Sequence, residues 1–146
     1  MYKIKHFSDL TVNEFYEIAK ARYEVFACEQ EITCENDFDD IDKNCYHIFL
    51  EKDDNVIAYA RIIPKPFSSY NDVSIGRVLV IPSARRSKLA QDMMKKAIDF
   101  IKFELKEDHV TLSAQEYVKK LYLDCGFKEI SDVYDEAGIP HVKMRY

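Results

Sequence analysis

The segment from residue 73 to residue 113 has the pattern of a strand, a helix and a second strand, and it limits the fold more than any other feature. Residues 73–81 end in an almost continuous β-branched run, which is typical of a strand buried on both faces. Pro82 ends this strand, and apolar residues then recur every three or four positions from about 87 to 105, as in an amphipathic helix. Residues 109–113 form the next strand. Such a unit packs as a right-handed parallel crossover, so we expect an α/β fold.

The remaining elements are predicted from capping residues and alternating patterns. Thr11 has the position of an N-cap, with Glu14 as its capping-box partner three residues later. Gly126 is placed to end a further helix that carries Val118 and Tyr122. Additional strands are predicted at residues 2–7, 46–51, 56–63, about 127–134 and about 140–145. This order predicts a mixed, mostly antiparallel sheet with helices on both faces, in a single domain over residues 1–146.

Charge and composition exclude several function classes. The net charge of −5 and the pI of about 5.4 argue against nucleic-acid binding, which needs a basic face. No run of 18 apolar residues is present, and residues 1–10 lack the apolar core of a signal peptide, so we expect a cytoplasmic protein without a membrane span. In that compartment the cysteines are expected as reduced thiols: Cys28, Cys34, Cys45 and Cys125.

A basic cluster lies where the strand 73–81 passes into the long helix. Arg85, Arg86 and Lys88 stand at the predicted helix N-terminus, whose unpaired N–H groups and positive dipole end attract phosphate. Because the dipole disfavours bases at this position, the cluster contradicts the local rule, as a phosphate site does. A solvated basic corner that balances nearby acids explains the same residues.

This junction resembles the acetyl-CoA pyrophosphate loop of the GNAT acetyltransferases, whose pattern is Gln/Arg-x-x-Gly-x-Gly/Ala. Arg85 matches the first position and Ala90 the last, while Lys88 stands at the central glycine. Further motifs, in order over residues 16–144, are similar to the ElaA-like branch of that family. They are Arg22, Val25-Phe26, Glu29-Gln30, Asp40, Asp42, His47, Ala60-Arg61, Ile75-Gly76-Arg77-Val78, Ser113-Ala114-Gln115, Tyr122, Gly126-Phe127 and Gly138-Ile139-Pro140-His141.

The resemblance implies an N-acetyltransferase that moves acetyl from acetyl-CoA to a primary amine by direct attack, with no metal. It implies that pantetheine binds along Val78, Leu79 and Val80. The implied pyrophosphate site consists of Arg85, Arg86, Ser87, Lys88, Leu89 and Ala90. Tyr122 matches the tyrosine that protonates the departing thiolate, although its helical spacing also suits a core aromatic.

A base is also required, because an amine must be neutral to attack and lysine-like amines have a pKa of about 10.4. Glu29, His47 and His141 are the candidates, and Gln30 and His141 are expected to contact the substrate. A lone histidine also serves as a structural hydrogen-bond partner. The acidic stretch 29–42 either attracts a cationic amine or is a solvated loop.

Two other functions remain open from the sequence. One is a non-catalytic acyl-CoA-binding or protein-interaction module on the same fold. The other is a metal- or redox-regulated protein built on Cys28 and Cys34, although their spacing suits neither a zinc knuckle nor a CxxC pair, and burial as small apolar residues is the default. The acceptor is a small molecule or a peptide amine, and the exposed edge strands of this fold allow a homodimer.

Overall fold

The computed structural model describes residues 1–146, which form eight strands and three α-helices. The strands are β1 (Lys3–His6), β2 (Tyr46–Lys52), β3 (Asn55–Ile63), β4 (Ser74–Val80), β5 (Thr111–Gln115), β6 (Lys128–Glu129), β7 (Tyr134–Glu136) and β8 (Ile139–Arg145). The helices are α1 (Val12–Arg22), α2 (Leu89–Phe103) and α3 (Lys119–Asp124), with a π-helical segment (Tyr23–Glu29) that continues α1. Short 3-10 turns lie at Phe7–Asp9, Ile41–Asn44, Lys65–Phe67, Pro82–Ala84 and Glu116–Val118.

The strands form two antiparallel groups that meet at a single point. One group has the order β1-β2-β3-β4, and the other has the order β5-β8-β6 with β7 also paired to β8. The groups join through one parallel bridge between Val73 and Val110, where the Thr111 N–H donates to the Val73 carbonyl at 3.0 Å. The crossover predicted over residues 73–113 therefore exists, but its two strands diverge beyond this bridge and leave a cleft between β4 and β5.

Two apolar layers cover opposite faces of the first strand group, because neighbouring side chains in a strand point to opposite sides. Ile48 and Ala60 belong to the larger cluster, which includes Met94 of α2 and extends under α3. Phe49 and Tyr59, one position along each strand, pack instead in the cluster beneath α1. Helices thus cover both faces, as the sequence predicts.

The capping box at the start of α1 is present as predicted. Thr11 Oγ1 accepts from the Glu14 N–H at 3.0 Å, and Glu14 accepts from the Thr11 N–H at 2.9 Å. Glu14 also pairs with Lys3 and Lys5 on β1, which ties the helix start to the sheet. None of the helices is long and apolar enough to cross a membrane.

The strand predicted at about 127–134 is wrong in its extent, since only its two ends pair with β8. Between them, Ser131 Oγ accepts the hydrogen bond from the Lys143 N–H at 2.9 Å. A side chain replaces the backbone carbonyl there, so the ladder is interrupted and β7 forms a separate strand. The helix predicted at 87–105 is shorter at both ends, and the strand predicted at 109–113 lies two residues later.

Candidate active site

A cleft of about 740 Å³ occupies the space where β4 and β5 diverge. Its walls come from these two strands, the loop before α2, α3, the π-helical segment and the turn between β7 and β8. Nearly all the residues predicted for the site line this cleft: Glu29, Gln30, Val78, Leu79, Val80, Arg85, Arg86, Ser87, Lys88, Leu89, Ala90, Tyr122 and His141. The fold therefore brings residues that are far apart in the chain to one cavity.

A bulge in β4 helps to shape the cleft wall. Tyr59 pairs with Leu79 and Arg61 with Gly76, so two residues of β4 stand opposite Ala60 alone. Arg77, at the bulge, has a φ of 52°. Such bulges bend a strand and interrupt its ladder. The bulge in β4 lies beside the residues predicted to hold pantetheine.

The loop before α2 has an unusual backbone conformation. Arg86 and Lys88 have φ values of 65° and 62°, in the left-handed region that a Cβ disfavours. The first N–H groups of any helix have no intrahelical partners. Lys88 is the N-cap of α2, and its side chain accepts no hydrogen bond from these groups, so they are left uncapped. Leu89 and Ala90, in this first turn, line the cleft. Lys88 thus has a backbone conformation typical of glycine, which is the residue that the GNAT loop pattern has at this position.

Arg85 is joined to Glu29 across the mouth of the cleft. Its two terminal nitrogens lie 2.6 Å from the two Glu29 oxygens, and its Nε donates to the Val80 carbonyl at 2.9 Å. The hydrogen bonds from Arg85 lower the pKa of Glu29, so its carboxylate is ionised with both oxygens engaged. Glu29 is therefore poorly placed to take a proton while this pair is intact. Arg86 and Lys88 are exposed cations at the same loop, and neither forms an ion pair.

Tyr122 belongs to the core and also to the cleft wall. Only 5% of the residue is exposed, and its ring packs edge-on against Phe127 with centroids 5.8 Å apart. Burial raises the pKa of Tyr122, so its hydroxyl stays protonated at neutral pH. This position suits a core aromatic and also a proton donor at the cleft wall.

His47 was predicted as a candidate base, and its position contradicts that role. It is fully buried outside the cleft lining, with Nε2 2.9 Å from the Asp42 carbonyl and Nδ1 2.7 Å from the Tyr59 hydroxyl. A carbonyl only accepts, so Nε2 carries the proton and Nδ1 accepts from Tyr59. Burial lowers the pKa of His47, and the neutral ring serves as a structural link between β2 and the loop that carries Asp42.

A family model for the acetyltransferase (GNAT) domain matches residues 4–146. The chain belongs to the GNAT acetyltransferase family. Its relatives include a UPF0039 protein from Schizosaccharomyces pombe, 40% identical over 97% of this chain and 93% of that protein. Protein ElaA from Escherichia coli is 35% identical over 95% of this chain and 91% of its own length.

Solved structures support the same assignment. An acyl-CoA N-acyltransferase from Pseudomonas aeruginosa matches with a TM-score of 0.90 and 32% identity, over 99% of this chain and 98% of that one. The crystal structure of E. coli ElaA matches with a TM-score of 0.86 and the same coverage. The predicted resemblance to the ElaA-like branch and the predicted fold class are thus confirmed. The GNAT fold binds acyl-CoA and supports acyl transfer to small-molecule or peptide amines.

In this GNAT chain only part of the acidic stretch is a solvated loop, in which Glu31, Glu35 and Asp40 are exposed. Most of its aspartates join three arginines in an aspartate–arginine network of Arg22, Asp37, Asp39, Asp42, Arg61 and Arg77. Asp42 Oδ1 accepts from Arg22 at 2.8 Å and from Arg61 at 3.1 Å, and all three residues are buried. Neither prediction for this stretch anticipated the pairing, which holds residues 37–42 against the strands.

Two of the four cysteines depart from the prediction that they are buried. Cys28 and Cys34 are exposed, whereas Cys45 is buried and Cys125 is half-buried. All four are free thiols, and the structure contains no group of three or more His, Cys, Asp or Glu side chains arranged to hold a metal ion.

The end of the GNAT cleft nearest β7 and β8 carries polar residues that the sequence analysis missed. Tyr134 and Glu136 lie on β7, and both reach Ser113 Oγ on β5, with Glu136 Oε1 at 3.3 Å. His141 Nδ1 lies 2.7 Å from the Ile139 carbonyl, so Nδ1 carries the proton, and Nε2 lies 3.4 Å from Glu136. In the sequence, Tyr134 and Glu136 alternate with Asp135 just before Gly138, and this pattern could have indicated a short hairpin strand.

Gln30, the other residue predicted to contact the substrate, lies close to the same end of the cleft. The Gln115 side-chain amide donates to Gln30 Oε1 at 3.0 Å, which joins β5 to the segment that follows the π-helical turn. Gln30 and His141 therefore approach each other through Gln115, because Gln115 is the residue paired with His141 in the sheet.

Proposed function

We propose that this chain transfers an acetyl group from acetyl-CoA to a primary amine by direct attack of the amine on the thioester. The observation that carries the proposal is the continuity of the cleft. One cavity is lined by the cationic loop at the α2 N-terminus, by Tyr122, and by the polar cluster around His141. Along its length, the cavity thus has an end that suits phosphates, then a proton donor, and then an end for the acceptor amine.

The cofactor end fits the phosphates of an acyl-CoA. The unpaired N–H groups of the first turn of α2 and the cations of Arg86 and Lys88 suit an anion. In our proposal, the pantetheine arm runs along Val78, Leu79 and Val80, where the bulged strand β4 faces the cleft. Phosphate then competes with Glu29 for Arg85.

The proposed chemistry needs two proton transfers, and the cleft has a residue for each. His141 Nε2 takes a proton from the ammonium, since Nδ1 keeps its own proton on the Ile139 carbonyl and leaves Nε2 free to accept. The neutral nitrogen attacks the thioester carbon and forms the C–N bond. Collapse of the intermediate breaks the C–S bond, Tyr122 gives its proton to the thiolate, and the N–H proton of the intermediate returns to Tyr122. The net products are the amide, CoA thiol and one proton.

The test is a transfer assay with acetyl-CoA and a panel of amines, in which released CoA thiol is detected. Tyr122→Phe is expected to lower kcat by roughly 100-fold, the scale of general-acid catalysis, with unchanged acetyl-CoA affinity. Tyr16→Phe is the control, since Tyr16 is exposed on α1 outside the cleft. An unchanged kcat in Tyr122→Phe would remove the role of this residue.

One observation favours the second candidate, a non-catalytic acyl-CoA-binding module. The pairing of Arg85 with Glu29 engages both oxygens of one candidate base, which leaves fewer groups to deprotonate an amine. Acetyl-CoA binding without transfer to any amine in the panel would support this module over the enzyme. We further propose the cytoplasm as the compartment and residues 1–146 as one functional domain, and pairing of two copies through an edge strand stays a prediction.

A further inference from the structure

The polar cluster at the β7–β8 end of the cleft has the geometry of a defined acceptor site. Ser113 and Gln115 alternate along β5 with Leu112 and Ala114, which are buried in the core. On the neighbouring strand, His141 precedes Val142, which is also a core residue. Side chains on the opposite face from the core therefore point into the cleft, and Glu136 lines the same space.

Glu136 accepts a hydrogen bond from Ser113 and faces His141, which can donate to it from Nε2 only when the ring is charged. Its Oε1 accepts from Ser113 Oγ at 3.3 Å, and Oε2 lies 3.4 Å from His141 Nε2. Glu136 forms no ion pair with a lysine or an arginine. The nearby Lys143 lies instead over the Tyr134 ring, with its ammonium 5.9 Å from the centroid. The carboxylate therefore has an uncompensated charge when His141 is neutral.

The arginines that line the cleft do not supply a partner for a substrate anion. Arg22, Arg61 and Arg77 are paired with the aspartates of the aspartate–arginine network. The remaining free cations, Arg86 and Lys88, belong to the loop at the α2 N-terminus. The acceptor end is thus acidic, while the cationic end is assigned to the CoA phosphates.

Aromatic groups complete the site. Tyr134 lies near Glu136, since both side chains reach Ser113 Oγ, and Tyr70 lines the same cleft. The electron-rich face of a tyrosine ring attracts a cation such as an ammonium group. A carboxylate, a basic imidazole nitrogen and hydroxyl oxygens can accept the three N–H groups of one primary ammonium.

We propose, on the basis of the acetyltransferase function above, that Glu136 determines the acceptor and selects primary amines that lack a carboxylate beside the amine. The ammonium of the substrate lies against Glu136, and an α-carboxylate on the same carbon is repelled by it. The acceptor class is therefore a simple alkyl or arylalkyl amine and not a free amino acid.

The experiment compares butylamine and phenethylamine with their α-carboxylated counterparts, norvaline and phenylalanine. The unaltered protein is expected to show at least tenfold higher kcat/KM for the amines. Glu136→Gln is expected to lower kcat/KM for the amines at least tenfold and to narrow the difference between the two classes, with an unchanged Kd for acetyl-CoA. Asp135→Asn removes a charge from the adjacent position of β7, outside the cleft lining, and is expected to behave like the unaltered protein.

Phenethylamine binding, measured by calorimetry at saturating CoA, separates the two proposals because it does not depend on turnover. Binding that is lost in Glu136→Gln but kept in Asp135→Asn supports the site even without transfer, in which case only the proposed reaction fails. Unchanged binding and turnover in Glu136→Gln, or a preference of the unaltered protein for amino acids, would overturn the assignment of Glu136.

Discussion

At the scale of single residues, Lys88 shows how a sequence departure and a backbone conformation explain each other. The residue stands where the GNAT loop pattern has glycine, and its φ of 62° is the conformation that glycine adopts freely. His47 shows the opposite case, since a histidine in a matching position turned out to be buried and hydrogen-bonded on both nitrogens. Sequence can identify a residue type and its order, but not which face of the sheet it reaches.

We expect Lys88→Gly to be more stable than Lys88→Ala by about 0.5–1 kcal/mol, because only glycine removes the clash of Cβ in the left-handed region. Both variants lose the same charge, so their difference isolates the backbone effect. Urea unfolding midpoints measure it. Equal midpoints, or a less stable glycine variant, would show that residue 88 is not strained in this loop.

At the scale of elements, most strands and helices could be predicted because each depends on a local pattern. The capping box of α1 and the stripe of α2 are of this kind. The π-helical segment and the separate strand β7 could not be predicted. The first has no distinct sequence period, and the second depends on Ser131 replacing a backbone acceptor. These two elements carry Glu29 and Glu136, so the acceptor side of the cleft could be predicted only in part from the sequence.

The link between the π-helical segment and the loop before α2 gives a prediction about cofactor affinity. Glu29→Gln is expected to tighten acetyl-CoA binding by about two- to fivefold, because an exposed ion pair contributes up to about 1 kcal/mol and here competes with phosphate for Arg85. Glu24→Gln is the matched control, since it removes the same charge from the same segment without breaking that pair. Calorimetry with acetyl-CoA measures both, and weaker binding in Glu29→Gln would contradict the competition.

At the scale of the whole molecule, the ordered motifs were sufficient to predict the family and the fold class. The aspartate–arginine network was not predicted, because each pair joins residues 15 or more positions apart and no local pattern marks such partners. This network fixes the acidic segment against β3 and β4, and so it shapes one wall of the cleft.

The network also predicts the acid sensitivity of the fold. A hydrogen bond from Arg61 lowers the pKa of Asp39 to about 2. A depressed pKa contributes stability that is present above the unfolded value of about 3.9 and is lost as the pH falls towards 2. The urea midpoint is therefore expected to be steady from pH 7 to about pH 5 and to fall between about pH 4 and pH 2.

Two variants test how much Asp39 contributes to this loss of stability at low pH. Asp39→Asn should lower the midpoint at pH 7 and reduce the further loss between about pH 4 and pH 2. Asp40→Asn, at an exposed neighbouring position, should leave the profile unchanged. If the urea midpoint falls by the same amount between about pH 4 and pH 2 in the unaltered protein and in Asp39→Asn, other groups cause the loss of stability in acid.

We propose above all that acyl-CoA binds in the cleft between β4 and β5, with its phosphates on the loop before α2. Isothermal titration with acetyl-CoA tests it most directly, using the unaltered protein beside Arg85→Ala and Arg86→Ala. We expect micromolar binding that weakens by about tenfold, or about 1.4 kcal/mol, when a loop arginine is removed. No binding to the unaltered protein, or equal binding by all three, would contradict the account.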